Sequence, residues 1–283
     1  MKYAIGIAKI FRATHIENTA TGEKEGLYHR ASGMAPRNSM KGTTEIKKTN
    51  HSINPAPPSN ITSRIKQYFG AKMKYKLVAF DMDGTLIEGD SCWGVIHRHF
   101  GTHEKALSNL RAYERGEIDY CEFMRHDIAL WQPRPHISQI EEILGGLQPT
   151  SSAGDVISEI KKRGYELAMI TGGIDILAER IAYQLGIPHV LANGLAVDKR
   201  GYLTGEGVFR VEPCLKHETL AKLADDLGMT LDECVAVGDS KYDFNFLKHA
   251  GLAVAIGNDS ILSEVADVVI RDFKHLPQLL DYL

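Results

Sequence analysis

From residue 76 onward the chain alternates short apolar runs with amphipathic stretches. Lys76-Leu77-Val78-Ala79-Phe80 is a compact apolar run rich in strand formers, and a run this short reads as a buried strand. Comparable runs predict strands at 165–170, 234–237, 252–256 and 268–270. Helical spacing predicts helices at 151–163, 174–185, 216–227 and 242–250, with Gly164 and Gly186 as stops. Residues 193–206 have hairpin character, turning at Asp198-Lys199-Arg200-Gly201. Repeated βα units imply an α/β fold, a Rossmann-like doubly wound parallel sheet with helices on both faces. Residues 89–145 interrupt that rhythm. They contain no convincing strand and read as helices at 91–100, 103–115, 119–131 and 137–144, punctuated by Gly101, Gly116, Pro133 and Pro135. The expected organisation is a core of residues 73–88 and 147–283 carrying an inserted α-helical cap domain at 89–146.

Residues 1–72 follow neither pattern. They are rich in Thr, Asn, Ser, Gly and Lys, and include Asn54-Pro55-Ala56-Pro57-Pro58-Ser59-Asn60. Such a composition buries little apolar surface, so a largely disordered N-terminal extension is expected. Three readings stay open: a flexible basic tail, a targeting segment, or a stretch upstream of a natural beginning at Met73. Glu17, Glu23, Glu25 and Glu45 argue against an organelle transit peptide.

Charge sharpens the division. The net charge of the 283 residues is -3, but residues 1–72 hold 12 of the 33 Lys and Arg and 4 of the 36 Asp and Glu, about +8. The remainder carries 21 and 32, about -11, which argues against nucleic acid as the body's partner. No apolar run approaches the roughly 20 residues of a membrane span. Cys92, Cys121, Cys214 and Cys234 are scattered, so neither a disulfide framework nor a zinc site is expected, and a cytoplasmic location is.

Candidate chemistry sits at the predicted strand ends and helix starts. Asp81 and Asp83 follow the first strand, where open α/β sheets place their ligand crevice. Two crowded carboxylates repel unless a cation or a shared proton relieves them, and Mg²⁺ favours such a site together with a substrate phosphate. Thr171-Gly172-Gly173, between a strand and a helix, offers a hydroxyl and backbone N–H groups to a phosphate. Lys216 begins a helix. In Gly238-Asp239-Ser240-Lys241-Tyr242-Asp243, Asp239 ends a strand and Asp243 lies one turn further, so both can face one point. Singly, each has an ordinary structural explanation as a turn, a solvated charge or a helix cap. Their order along the chain is far more specific than any one of them.

Taken together, Asp81-x-Asp83-Gly84-Thr85, Thr171-Gly172-Gly173, Lys216 and Gly238-Asp239-Ser240-x-x-Asp243 resemble the four motifs of the haloacid dehalogenase-like phosphohydrolase superfamily. The resemblance covers about residues 76–283. The helical insert and the stretches 160–165 and 170–173 are similar to the phosphoserine phosphatase branch. It implies Asp81 as nucleophile and Asp83 as general acid and base. It implies Mg²⁺ held by the Asp81 carboxylate, the Asp83 carbonyl and Asp239, with Asp243 behind them or ligating through water. Thr171, the Gly172 N–H and Lys216 would bind phosphoryl oxygens, and Lys216 would keep Asp81 ionised.

The implied activity is hydrolysis of a small phosphorylated metabolite by a Mg²⁺-dependent phosphomonoesterase with an aspartyl-phosphate intermediate. Phosphoserine, a sugar phosphate, phosphoglycolate or a nucleotide would serve as substrate, and a phosphotransferase or mutase using the same intermediate is the alternative. Specificity candidates are Asp90, where the branch carries glutamate, Tyr120, and Arg125. The branch's cap arginine aligns with Asp127, two positions from Arg125, and Tyr242 stands where asparagine is common.

Overall fold

The computed structural model describes residues 74–281; residues 1–72, with the expected basic extension, lie outside the described residues. Seven strands form one sheet in the order β4-β3-β2-β1-β5-β6-β7. These are β1 (Leu77–Phe80), β2 (Glu166–Ile174), β3 (His189–Val197), β4 (Leu203–Val208), β5 (Cys234–Gly238), β6 (Leu252–Ile256) and β7 (Val268–Ile270). Every neighbouring pair is parallel except β3 with β4, which form the hairpin expected around residues 198–201.

All four residues of β1 are buried, as a central parallel strand covered on both faces requires. Strand alternation then divides the core. Val78 and Phe80 join Leu167, Met169, Val235 and Val237 on one face, beneath helices α5 (Ala153–Lys162) and α6 (Asp175–Leu185). Leu77, Ala79, Ala168, Ala236, Ala253 and Ala255 form the other, beneath α7 (Lys216–Asp226) and α8 (Phe244–Lys248). The alanines leave room for those helices to approach closely. A last helix, α9 (Leu276–Leu280), was not marked by the pattern: five residues with a proline at their start are too few to show a helical period.

Between β1 and α5 lie four helices, α1 (Cys92–His99), α2 (His103–Glu114), α3 (Tyr120–Ala129) and α4 (Ile137–Leu144). Ser91 caps α1 by accepting from the Gly94 N–H, and Asp119 with Glu122 forms a capping box on α3. The chain leaves the core and returns to it at adjacent points, where Ile87 pairs with Pro149 and the Thr150 N–H donates to the Leu86 carbonyl at 2.8 Å. The insert also rests on the hairpin, where the Ile137 N–H donates to the Gly201 carbonyl at 2.8 Å.

One strand departs from expectation. The apolar run suggests an end at residue 170, yet β2 continues to Ile174, with its register against β3 shifting between Ile170 and Ile174. Thr171-Gly172-Gly173 is therefore an irregular strand end, not the N-terminus of a helix; α6 begins only at Asp175.

Candidate active site

The chain runs outward from β1 through β2 to β3 on one side and resumes at β5, β6 and β7 on the other. The β1–β5 boundary is thus a topological switch point, where the carboxyl ends of strands open a crevice. Asp81 follows β1, Asp239 follows β5, and Thr171 lies near the end of β2. Oxygens of Asp81, Asp239 and Asp243 lie within 4.8 Å of one another. The turn after β1 comes so close to Asp239 that a Cβ on Gly84 (φ +83°) would meet its carboxylate at 2.1 Å, so glycine is required there.

Lys216 joins these acids. Its Nζ is 2.7 Å from Asp81 Oδ1 and 2.6 Å from Asp243 Oδ1, and all three side chains are buried. Burial alone would depress the Lys216 pKa; Asp243 and Asp81 reverse that and hold it above its ordinary value. Asp81 is pushed well above the usual carboxylate range by burial, an effect opposed by Lys216 and reinforced by Asp243 and Asp239. Asp239 is raised to about 6, first by burial and then by Asp243. Such crowding suits a divalent cation, which would relieve both causes at once. The donor set is hard oxygen throughout, as Mg²⁺ prefers.

Asp243 is more constrained than its neighbours. One oxygen takes Lys216, and the other accepts from the backbone N–H of Asp239 and of Ser240, both at 3.2 Å, and from the Ser240 hydroxyl at 3.3 Å. It organises the loop that carries Asp239. The Thr85 hydroxyl donates to Asp239 Oδ1 at 2.7 Å from the opposite side.

Asp83 points toward the insert. Its Oδ1 accepts the Cys92 N–H at 3.1 Å and its Oδ2 the Cys92 thiol at 3.3 Å. Burial raises its pKa to about 6, against the lowering effect of those two bonds. A carboxyl with that value near neutrality is suited to both donating and accepting a proton.

A cavity of about 370 Å³ lies over these groups, with Asp81, Asp83, Thr171, Gly172, Lys216 and Asp239 in its floor. The Thr171 hydroxyl accepts the Gly173 N–H at 2.9 Å. The Gly172 carbonyl accepts from Tyr120 Oη at 2.7 Å, Trp93 Nε1 at 3.3 Å and Asn193 Nδ2 at 3.3 Å, tying two residues of the insert to the core. On the far rim Glu114 of α2 binds the Tyr242 hydroxyl at 2.6 Å and the Lys241 ammonium at 2.7 Å.

The specificity candidates separate. Tyr120 lines the cavity. Asp90 is exposed and paired with Arg98, and Arg125 is exposed with Glu122 at 3.8 Å; neither lines the cavity. Asp127 does line it, almost fully buried. Thr85 belongs to the first motif, which assigned it no role, and sequence reasoning missed Cys92, Trp93 and Asn193. None of these three stands in a pattern that marks it, because each acts through a partner distant in the chain or across a turn.

Carboxylates gathered at a switch point with a buried ammonium in reach mark the candidate active site of an enzyme built on a doubly wound sheet. Comparison with known proteins gives the family: the profile of the haloacid dehalogenase-like hydrolases matches residues 78–248, and the chain belongs to that family. A phosphoserine phosphatase of Methanocaldococcus jannaschii is 35% identical over 212 residues, covering 74% of this chain and 98% of that protein. A solved phospho-aspartyl intermediate analogue of phosphoserine phosphatase is similar with a TM-score of 0.63 and 33% identity, over 74% of this chain and 99% of that one. A substrate-bound phosphoserine phosphatase complex is similar with the same TM-score and 32% identity, over the same shares of the two chains. Family and relatives together make this protein an enzyme, a phosphatase that hydrolyses phosphoric monoesters. Among the described residues no helix is long and apolar enough to cross a membrane.

Proposed function

We propose that the protein is a Mg²⁺-dependent phosphomonoesterase acting on a small phosphorylated metabolite through a phosphorylated Asp81. The observation that carries this reading is the placement of Lys216 between Asp81 and Asp243 beneath a cavity that also holds Asp83. A carboxylate oxygen of Asp81 attacks phosphorus, and the bond to the leaving alkoxide breaks. Asp83 gives that alkoxide its proton. Asp83 then takes a proton from water as the water's oxygen attacks the aspartyl-phosphate, which releases inorganic phosphate and restores both carboxyl groups. Lys216 and the Thr171–Gly172 segment hold the non-bridging oxygens. Asp81, the Asp83 carbonyl and Asp239 would hold Mg²⁺, with Asp243 bracing them, and the ion would offset charge on the transferring phosphoryl group. We assign residues 89–146 the role of a cap that excludes water while the leaving group is bound.

The test is release of inorganic phosphate from p-nitrophenyl phosphate with Mg²⁺, without Mg²⁺ after chelation, and by Asp81→Asn. Release should require the metal and disappear in the variant. Full activity in Asp81→Asn would overturn the nucleophile assignment. A requirement for an added acceptor alcohol would show a phosphotransferase instead.

A further inference from the structure

The upper part of the cavity has an unusual charge balance. Its walls are Trp93, Leu107, Leu110, Tyr113 and Phe123, with Asp127 at its end. The aromatic rings form a continuous surface: Trp93 meets Phe123 edge-on at 5.9 Å, and Phe123 lies 5.7 Å from Tyr113 and 5.3 Å from Tyr120. Among the described residues that line the cavity the only lysine or arginine is Lys216, which is bound to Asp81 and Asp243. The nearby arginines of the insert are exposed and occupied elsewhere, Arg98 by Asp90 and Arg125 beside Glu122.

Among the described residues no lysine or arginine pairs with the buried Asp127. Its Oδ1 accepts from Asn109 Nδ2 at 2.7 Å, and its Oδ2 is 3.0 Å from His97 Nε2. Trp131 Nε1 lies 3.2 Å from His97 Nδ1, and Thr102 Oγ1 lies 2.8 Å from the same nitrogen. Asp127 thus brings a carboxylate, not a lysine or arginine, to the lining of the cavity.

We propose that this cavity selects phosphomonoesters whose leaving alcohol bears no carboxylate, its neutral or cationic end lying on the aromatic wall beneath Asp127. A carboxylate there would lose its water against leucine and indole, meet no cation, and face a second carboxylate. An apolar group gains by burial, and an ammonium gains from the ring faces and from Asp127. This deepens, and rests on, the phosphatase reading above.

Matched pairs test it. Phosphoserine and phosphoethanolamine differ by one carboxylate, as do phosphoglycolate and ethyl phosphate with a methyl in its place. With Mg²⁺ present, kcat/KM should be lower by about tenfold or more for the carboxylate-bearing member of each pair, the scale on which a site rejects a group it cannot pair. The Asp127→Asn variant should narrow the gap. Equal or preferred hydrolysis of phosphoserine and phosphoglycolate would overturn the proposal. Calorimetric titration of the same four esters into Asp81→Asn protein reads the preference without turnover, and tighter binding of the carboxylates there would overturn it too. Loss of p-nitrophenyl phosphate hydrolysis in the wild type would instead sink the phosphatase reading, with the binding order still deciding the selectivity.

Discussion

Cys92 holds Asp83 with two bonds, its N–H reaching one carboxylate oxygen and its thiol the other. The residue that opens the helical insert thereby orients the proposed acid of the core. Removing the thiol in Cys92→Ala leaves the backbone bond and one oxygen unheld. A neutral bond of about 1 kcal/mol corresponds to a several-fold effect. We expect kcat to fall about fivefold with KM little changed, and Cys92→Ser to restore most of it. Steady-state kinetics of the two variants checks this; equal loss in both would show that packing, not the donor, matters.

Among the described residues that line the cavity Lys216 carries the only ammonium, and it is held between the buried Asp81 and Asp243. Lys216→Met should abolish phosphate release and lower stability by about 3–5 kcal/mol, because it strands buried carboxylates without a partner. Urea denaturation in the absence of metal gives the free-energy change. A variant as stable as the wild type would mean that Asp81 and Asp243 share a proton instead.

Tyr120 and Glu114 clasp the insert to the core from opposite sides, at the Gly172 carbonyl and at Tyr242 with Lys241. Tyr120→Phe removes one hydroxyl bond and keeps the ring. KM should rise about fivefold, from a bond worth about 1 kcal/mol, and hydrogen exchange should quicken in residues 92–129 while the sheet stays protected. Unchanged exchange would show that packing alone keeps the insert seated.

His217 stacks on His249 with ring centroids 4.3 Å apart, and burial, then His249, lowers its pKa to about 4. An unfolded histidine titrates near 6.5, so the unfolded chain takes up this proton first as pH falls. The contribution to stability is present above about pH 6.5, shrinks between there and about 4, and is constant below. The ring's partial exposure limits it to a few degrees of melting temperature. Melting of wild type and His217→Gln across this range should show the wild type losing ground as pH drops; parallel curves would refute the linkage.

Much of the fold was legible because strand and helix periods are local. The runs at 252–256 and 268–270 became strands with those bounds, and residues 137–144 became a helix with those bounds. Acids and a lysine placed after strands or at helix starts had to converge once the strands paired in parallel, since the carboxyl ends of all such strands share one edge. The end of β2 was misjudged because glycines stop an apolar run without stopping a strand that a neighbour still pairs.

The sequence by itself determined the α/β class, the helical insert and the residues at the strand ends, since each follows from short-range period and order. Only the tertiary structure decided what surrounds the leaving group. Arg125 and Asp127 are two positions apart on one helix, yet one faces solvent and the other closes the cavity. A side chain's direction across an insert is set by which face packs against the core, and no local pattern carries that. Which charges line the cavity depends on such directions, so packing, not local pattern, set them.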